Sequence, residues 1–192
     1  MSAALPATAA WRHLDARVGF EVLFLRGDTR GYHFEGHSTA VEDGEAWGIR
    51  YALTVAPDWT TRSACIAGRS AQGVYEVRLE GDGTGRWRVD DEPAPQLDGC
   101  LEVDLEASAF TNALPVHRLG LRVGERADAP AAYVRAVDLR VERLEQSYLR
   151  LPDTVGHSHY DYASPAFDLR AELVYDRFGL VLDYPGIAVR AL

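Results

Sequence analysis

The strongest constraint in this chain is a period of two. In residues 74–80, Tyr75, Val77 and Leu79 alternate with Glu76, Arg78 and Glu80. In residues 46–56, Ile49, Tyr51, Leu53 and Val55 oppose Arg50, Ala52 and Thr54. In residues 167–175, Phe167, Leu169, Ala171, Leu173 and Tyr175 oppose Asp168, Arg170 and Glu172. Side chains two apart share one face of a strand, so each run buries one face and leaves the other wet. Turn residues separate the runs. Gly81-Asp82-Gly83-Thr84-Gly85 supplies the positive φ angles of a hairpin loop. Strands at this spacing with turns between them predict antiparallel β structure.

One stretch breaks the pattern. Residues 98–119 begin as a strand, with Leu101, Val103 and Leu105 against Glu102 and Asp104. The alternating acids read as a solvated side. Then Phe110, Leu114 and Leu119 recur at helical spacing, with Ser108 as a candidate cap and Pro115 expected to end or kink the helix. The expectation is a mainly β fold, an antiparallel curled sheet in two halves around a short central helix. Periodicity alone leaves barrel, sandwich and open curled sheet equally available. After the plug, residues 131–141 read as one extended run. The length of 192 residues fits one domain. Residues 1–10 read as a frayed tail and 11–192 as the domain, with the first strand opening at Trp11.

Composition removes several functions. A net charge of −9 disfavours nucleic acid and anionic membrane surfaces. All 20 basic residues are Arg, which excludes lysine Schiff bases and Lys-dependent phosphate loops. No GxSxG, HExxH or dinucleotide fingerprint is present. No apolar run reaches the ~20 residues that span a bilayer, and residues 1–15 lack the pattern of a secretory leader. A cytoplasmic protein is expected. Cys65 and Cys100, outside any CxxC, read as reduced, separate, buried thiols. His157, His159 and Asp161 share a strand face, but an exposed polar face is the commoner meaning of that spacing, and no metal or cofactor is assigned.

The pieces GCLEVDL (99–105), FTNALPVHRL (110–119), AAYVRAVDLRVERLEQSYLRL (131–151) and FGLVLDYPGIAVR (178–190) resemble the bacterial putative glycolipid-binding family, over nearly the whole chain. The resemblance implies a spiral β-roll of two pseudo-repeated halves around a short helical connection, similar to periplasmic lipoprotein carriers. It implies a non-catalytic binder of a glycolipid or other amphipathic molecule on the concave face of the sheet. The position of His117 is often Arg in the family pattern.

Under that reading the cavity lies between the sheet and the plug. Asn112 offers donor and acceptor to a sugar hydroxyl, and Arg118 a fixed charge to an anionic head. Tyr133, Gln146, Tyr148, Tyr160 and Tyr162 line the second half, with Trp59, Arg62 and Trp87 from the first. Aromatic faces suit sugar rings. Large aromatics on strands are more often core, and Arg118 paired with Asp104 would be a structural brace. Two other classes stay open: a cytosolic enzyme acting on a lipid or sugar, and an interaction module whose sheet edges pair with a partner.

Overall fold

The turn signals close hairpins. In the computed structural model, which describes residues 5–15 and 17–191, Asp43 and Gly44 take φ of 49° and 81°. They join two long strands in a tight reversal that needs positive φ at both positions. The first half is a meander of eight strands. They are β1 (Thr8–His13), β2 (Val18–Asp28), β3 (Gly31–Glu42), β4 (Glu45–Val55), β5 (Thr61–Ser70), β6 (Gly73–Gly81), β7 (Trp87–Val89) and β8 (Glu92–Pro93). The plug follows, as β9 (Glu102–Leu105), a 3-10 turn (Phe110–Asn112) and helix α1 (Ala113–Leu119). The second half comprises β10 (Arg126–Asp128), β11 (Ala131–Val134), β12 (Val141–Leu144), β13 (Ser147–Thr154), β14 (His157–Ser164), β15 (Leu169–Tyr175), β16 (Val181–Tyr184) and β17 (Ala188–Arg190).

Fourteen strands form one sheet in the order β10-β13-β14-β15-β16-β17-β1-β2-β3-β4-β5-β6-β7-β8, antiparallel throughout. Its edge strands β10 and β8 do not meet, so the sheet curls without closing into a barrel. The halves are joined by the pairing of β17 with β1, Trp11 opposite Arg190. A small inner sheet, β12-β11-β9, lies within the curl, with β9 parallel to β11.

The plug and the inner sheet fill the concave side of the first half. Trp11, Leu23, Phe34, Tyr51 and Leu79 are packed in one cluster with Val103, Phe110 and Leu114, all fully buried. A second, smaller cluster is built on tyrosines of the second half: Tyr148, Tyr160, Tyr162, Tyr175 and Tyr184. Glu21 clamps plug to sheet. It is fully buried on β2, where it accepts hydrogen bonds from Tyr51 Oη (2.6 Å), the Ala109 amide (2.8 Å) and Ser108 Oγ.

Several expectations need correction. The sheet starts at Thr8, because Thr8 to Arg12 pair along β2 and Ala9 and Ala10 are buried. Residues 1–4 of the expected tail lie outside the described residues. Ser108 caps nothing; its hydroxyl goes to Glu21. Pro115 neither ends nor breaks α1, since it sits in the first turn, where no intrahelical N–H is needed. The helix stops at Gly120, in a left-handed conformation, whose amide returns to Val116 O at 3.2 Å. Residues 131–141 are not one strand. Leu139 adopts φ of 55° and the chain folds back, with the Arg135 amide donating to Arg140 O at 3.0 Å. Glu102 and Asp104 are buried, because β9 is covered on both faces. Cys100 is buried as expected but Cys65 is exposed, on the outer face of β5; both thiols are free.

Candidate functional site

Where the filled first half gives way to the tyrosine-rich second half, a cavity of about 260 Å³ remains. Its floor comes from the plug: Asp104, Leu105, Ser108 and Asn112. Its walls are aromatic: Tyr133 from β11, Tyr162 from β14, Tyr184 from β16, and Phe167 from the short turn before β15. The members of the lining that reach solvent are Glu42, Glu106, Phe167, Leu169 and Ile187, so the mouth is mixed apolar and acidic. Arg17 enters from the segment before β2, held over the Trp47 ring at 5.4 Å and donating to Glu106 O at 3.0 Å.

A hydrogen-bond network fixes the floor. Tyr148 Oη donates to Asn112 Oδ1 at 2.9 Å, and Tyr175 Oη to Asn112 O at 3.2 Å. With its oxygen engaged, the Asn112 side chain offers the cavity its N–H donors. Tyr162 Oη donates to Gln146 Oε1 at 3.0 Å. Thr111 Oγ1 donates to Asp104 Oδ1 at 2.7 Å while receiving the Leu105 amide at 3.2 Å. Burial first, and then the charge of Glu106, push the Asp104 carboxyl up to about 6 against the pull of Thr111. Burial likewise raises the phenols of Tyr133, Tyr162 and Tyr184, which therefore stay neutral donors.

Of the residues singled out in the sequence, Asn112, Tyr133 and Tyr162 line this cavity, and Tyr148 and Gln146 brace it from behind. The other five do not. Tyr160 packs in the second core under the Arg150 guanidinium, 4.9 Å away. Trp59 belongs to the first core, stacked on Tyr32 (4.3 Å) and on His117 (3.7 Å). Trp87 is buried, its indole N–H donating to Cys100 O at 2.8 Å. Arg62 is exposed and caps the Asp82 carbonyl beside a separate surface depression. Arg118 pairs with Glu102, not with Asp104. Sequence reasoning took Asp104 for a solvated acid or a brace for Arg118 and did not place Tyr184, Phe167 or Arg17 at the site. The signal available for Asp104 was Thr111, a hydroxyl in the plug within reach of a strand acid.

A larger groove of about 510 Å³ runs over the outer face of β3–β6, past His37, Arg50, Cys65 and Arg78. It is made by the solvent-facing set of the alternation, so it lacks the fixed, buried polar floor of the inner cavity. The His157-His159-Asp161 spacing resolves into separate surface pairs, His159 with Glu172 (2.7 Å) and Asp161 with Arg170 (2.5 Å). Among the described residues no group of His, Cys, Asp and Glu is arranged to hold a metal, and no helix is long and apolar enough to cross a membrane.

Comparison with known proteins fits this architecture. A crystal structure of a DUF1089 family protein from Pseudomonas aeruginosa is similar at 34% identity and a TM-score of 0.73, over 87% of this chain and 90% of that one. A beta-barrel-like protein of the domain of unknown function DUF1849 from Brucella abortus shares the fold alone. Its TM-score is 0.53 at 11% identity, over 95% and 93% of the two chains. No protein of curated function matches. The sequence profile described as putative glycolipid-binding matches residues 8–190, so the chain belongs to the putative glycolipid-binding family.

Proposed function

We propose that the protein is a non-catalytic binder of an amphipathic ligand, a glycolipid or related lipid, whose polar head enters the inner cavity. The observation that carries this reading is the cavity's make-up: aromatic walls above a floor of fixed hydrogen-bonding groups, Asn112 and Asp104. Rings supply stacking surface to a sugar, and a few convergent polar groups set its orientation. The volume of about 260 Å³ lies below the ~300 Å³ at which pockets for drug-sized ligands begin. The first half of the curl is occupied by the plug, so an acyl chain has no room inside. Phe167, Leu169 and Ile187 at the mouth offer apolar contact to the start of the tail. The family's name supports the same ligand class. A cytoplasmic location fits a chain with no membrane-spanning helix among its described residues.

The reading is tested by titrating labelled protein with octyl glucoside below its micelle concentration. The Asn112 side-chain amide resonances should shift saturably, and Asn112→Ala should weaken binding by about tenfold or more, the loss expected when a buried polar contact goes unmade. Shifts confined to the outer groove of β3–β6, or unaltered affinity in the variant, would overturn it.

A further inference from the structure

Three carboxylates and one guanidinium line the inner cavity, and they are not equivalent. Glu42 faces Arg17, its Oε1 3.9 Å from Arg17 Nε, and accepts the Trp47 indole N–H at 3.3 Å. Glu106 is held by Arg135 at 3.4 Å and by the Ala136 amide at 2.7 Å. Glu102, the next acid along β9, is taken by Arg118. Of these four acids only Asp104 has no basic partner among the described residues, although it is almost wholly buried. A buried carboxylate without a counter-charge is costly, and proteins keep one chiefly where something else completes it.

The rings around it suit one kind of completion. Tyr133 and Phe167 stand 5.5 Å apart at 55°, and Tyr162 and Tyr184 5.9 Å apart at 73°, so the cavity is walled by two tilted aromatic pairs. The faces of such rings carry negative potential and attract cations. One pair already does so, since the Arg135 guanidinium sits 5.3 Å from the centroids of both Tyr133 and Phe167.

Building on the head-group reading above, we propose that the cavity selects a head bearing an ammonium group, an amino sugar or an amino alcohol. The ammonium would sit against Asp104 between the aromatic pairs, and a neighbouring hydroxyl would take the Asn112 N–H. Arg17 does not oppose this. Its charge is offset by Glu42 at 3.9 Å, the Glu106 carbonyl and the Trp47 face, although its Nε has no hydrogen-bond partner among the described residues. The carboxyl of Asp104 is pushed up to about 6 by burial, and a bound cation relieves that burden.

The experiment compares four probes near neutral pH by calorimetry and by the Asn112 amide resonances: glucosamine, N-acetylglucosamine, glucose and ethanolamine. Glucosamine should bind about tenfold or more tightly than glucose or the charge-free N-acetyl form. Asp104→Asn, which keeps the shape and the Thr111 contact, should bring glucosamine down to the level of glucose. Equal binding of the three sugars would overturn the ammonium site and leave head-group recognition standing. Ethanolamine binding as tightly as glucosamine, with no binding of glucose, would support the ammonium site and overturn recognition of a sugar. Silence from all four probes would overturn both. If the Asp104→Asn variant fails to fold, the discrimination among probes by the unaltered protein decides the matter alone.

Discussion

Two acids on one strand, two residues apart, face opposite circumstances. Glu102 is buried with Arg118 as partner, and Asp104 is buried without one. Their substitutions should therefore differ in sign. Arg118→Met strands Glu102, whose second oxygen already lacks a hydrogen bond among the described residues. It should cost about 3 kcal/mol in urea unfolding, the scale of breaking a buried pair. Asp104→Asn removes an uncompensated charge. The carboxyl's usual value of 3.8 is raised to about 6 in the fold, so its ionisation opposes folding at neutral pH. The variant should gain about 2 kcal/mol near pH 7, and the gain should shrink as pH falls below about 6 and vanish only below the unfolded value of 3.8, where the carboxyl is protonated in both states. A stabilised Arg118→Met or a destabilised Asp104→Asn would contradict this assignment. Neither role was legible in the sequence. Alternation says that Glu102 and Asp104 share a face, but not that a second layer covers it.

At the scale of elements, the hairpins and the location of the plug were readable, because each rests on local chemistry: period two, glycines at turns, helical spacing at Phe110 and Leu114. The reversal at Leu139 was not, since a leucine in a left-handed conformation is held by its surroundings and gives no turn signal. Of the cavity, Asn112, Tyr133 and Tyr162 were legible as polar or aromatic residues of the right segments. The separation of Trp59 and Trp87 into the core was not, because burial depends on what packs opposite. The last two strands follow the readable kind of rule, and they join the halves: β16 pairs with β15 and β17 with both β16 and β1. Trp11 also donates its indole N–H to Val181 O at 2.8 Å. Removing residues 179–192 should therefore abolish cooperative unfolding of the whole chain. A truncated protein with an unchanged melting transition would refute the pairing.

The whole molecule should respond to acid through two histidines, one on the sheet and one on the plug it encloses. His13 and His117 are lowered from 6.5 to about 4, chiefly by burial; Arg17 adds to the effect at His13. An unfolded chain takes up both protons near pH 6.5, whereas the folded chain resists until about pH 4. Their contribution to stability is complete above pH 6.5 and is lost as pH falls through that window. The His117 ring lies flat on Trp59, beside the Phe178 backbone. His117→Phe should keep the stack and flatten the fall in melting temperature between pH 7 and 5. A slope equal to that of the unaltered protein would exclude His117 as its source.

The pairing of β17 with β1 also has a kinetic side. It brings together Trp11 and Arg190, positions nearly the full chain apart. Closing so long a loop adds little to the equilibrium cost, since each doubling of length costs only about 0.6 kcal/mol. It weighs more on rate, because a contact of such long range is rewarded only after most of the chain is in place. The two meanders can form from local hairpins, each on its own timescale. Their union along β1 should then be the slow step of refolding, visible as a slow phase that a break in the β1–β17 pairing removes, and until it occurs β1 presents an open edge to any neighbouring chain.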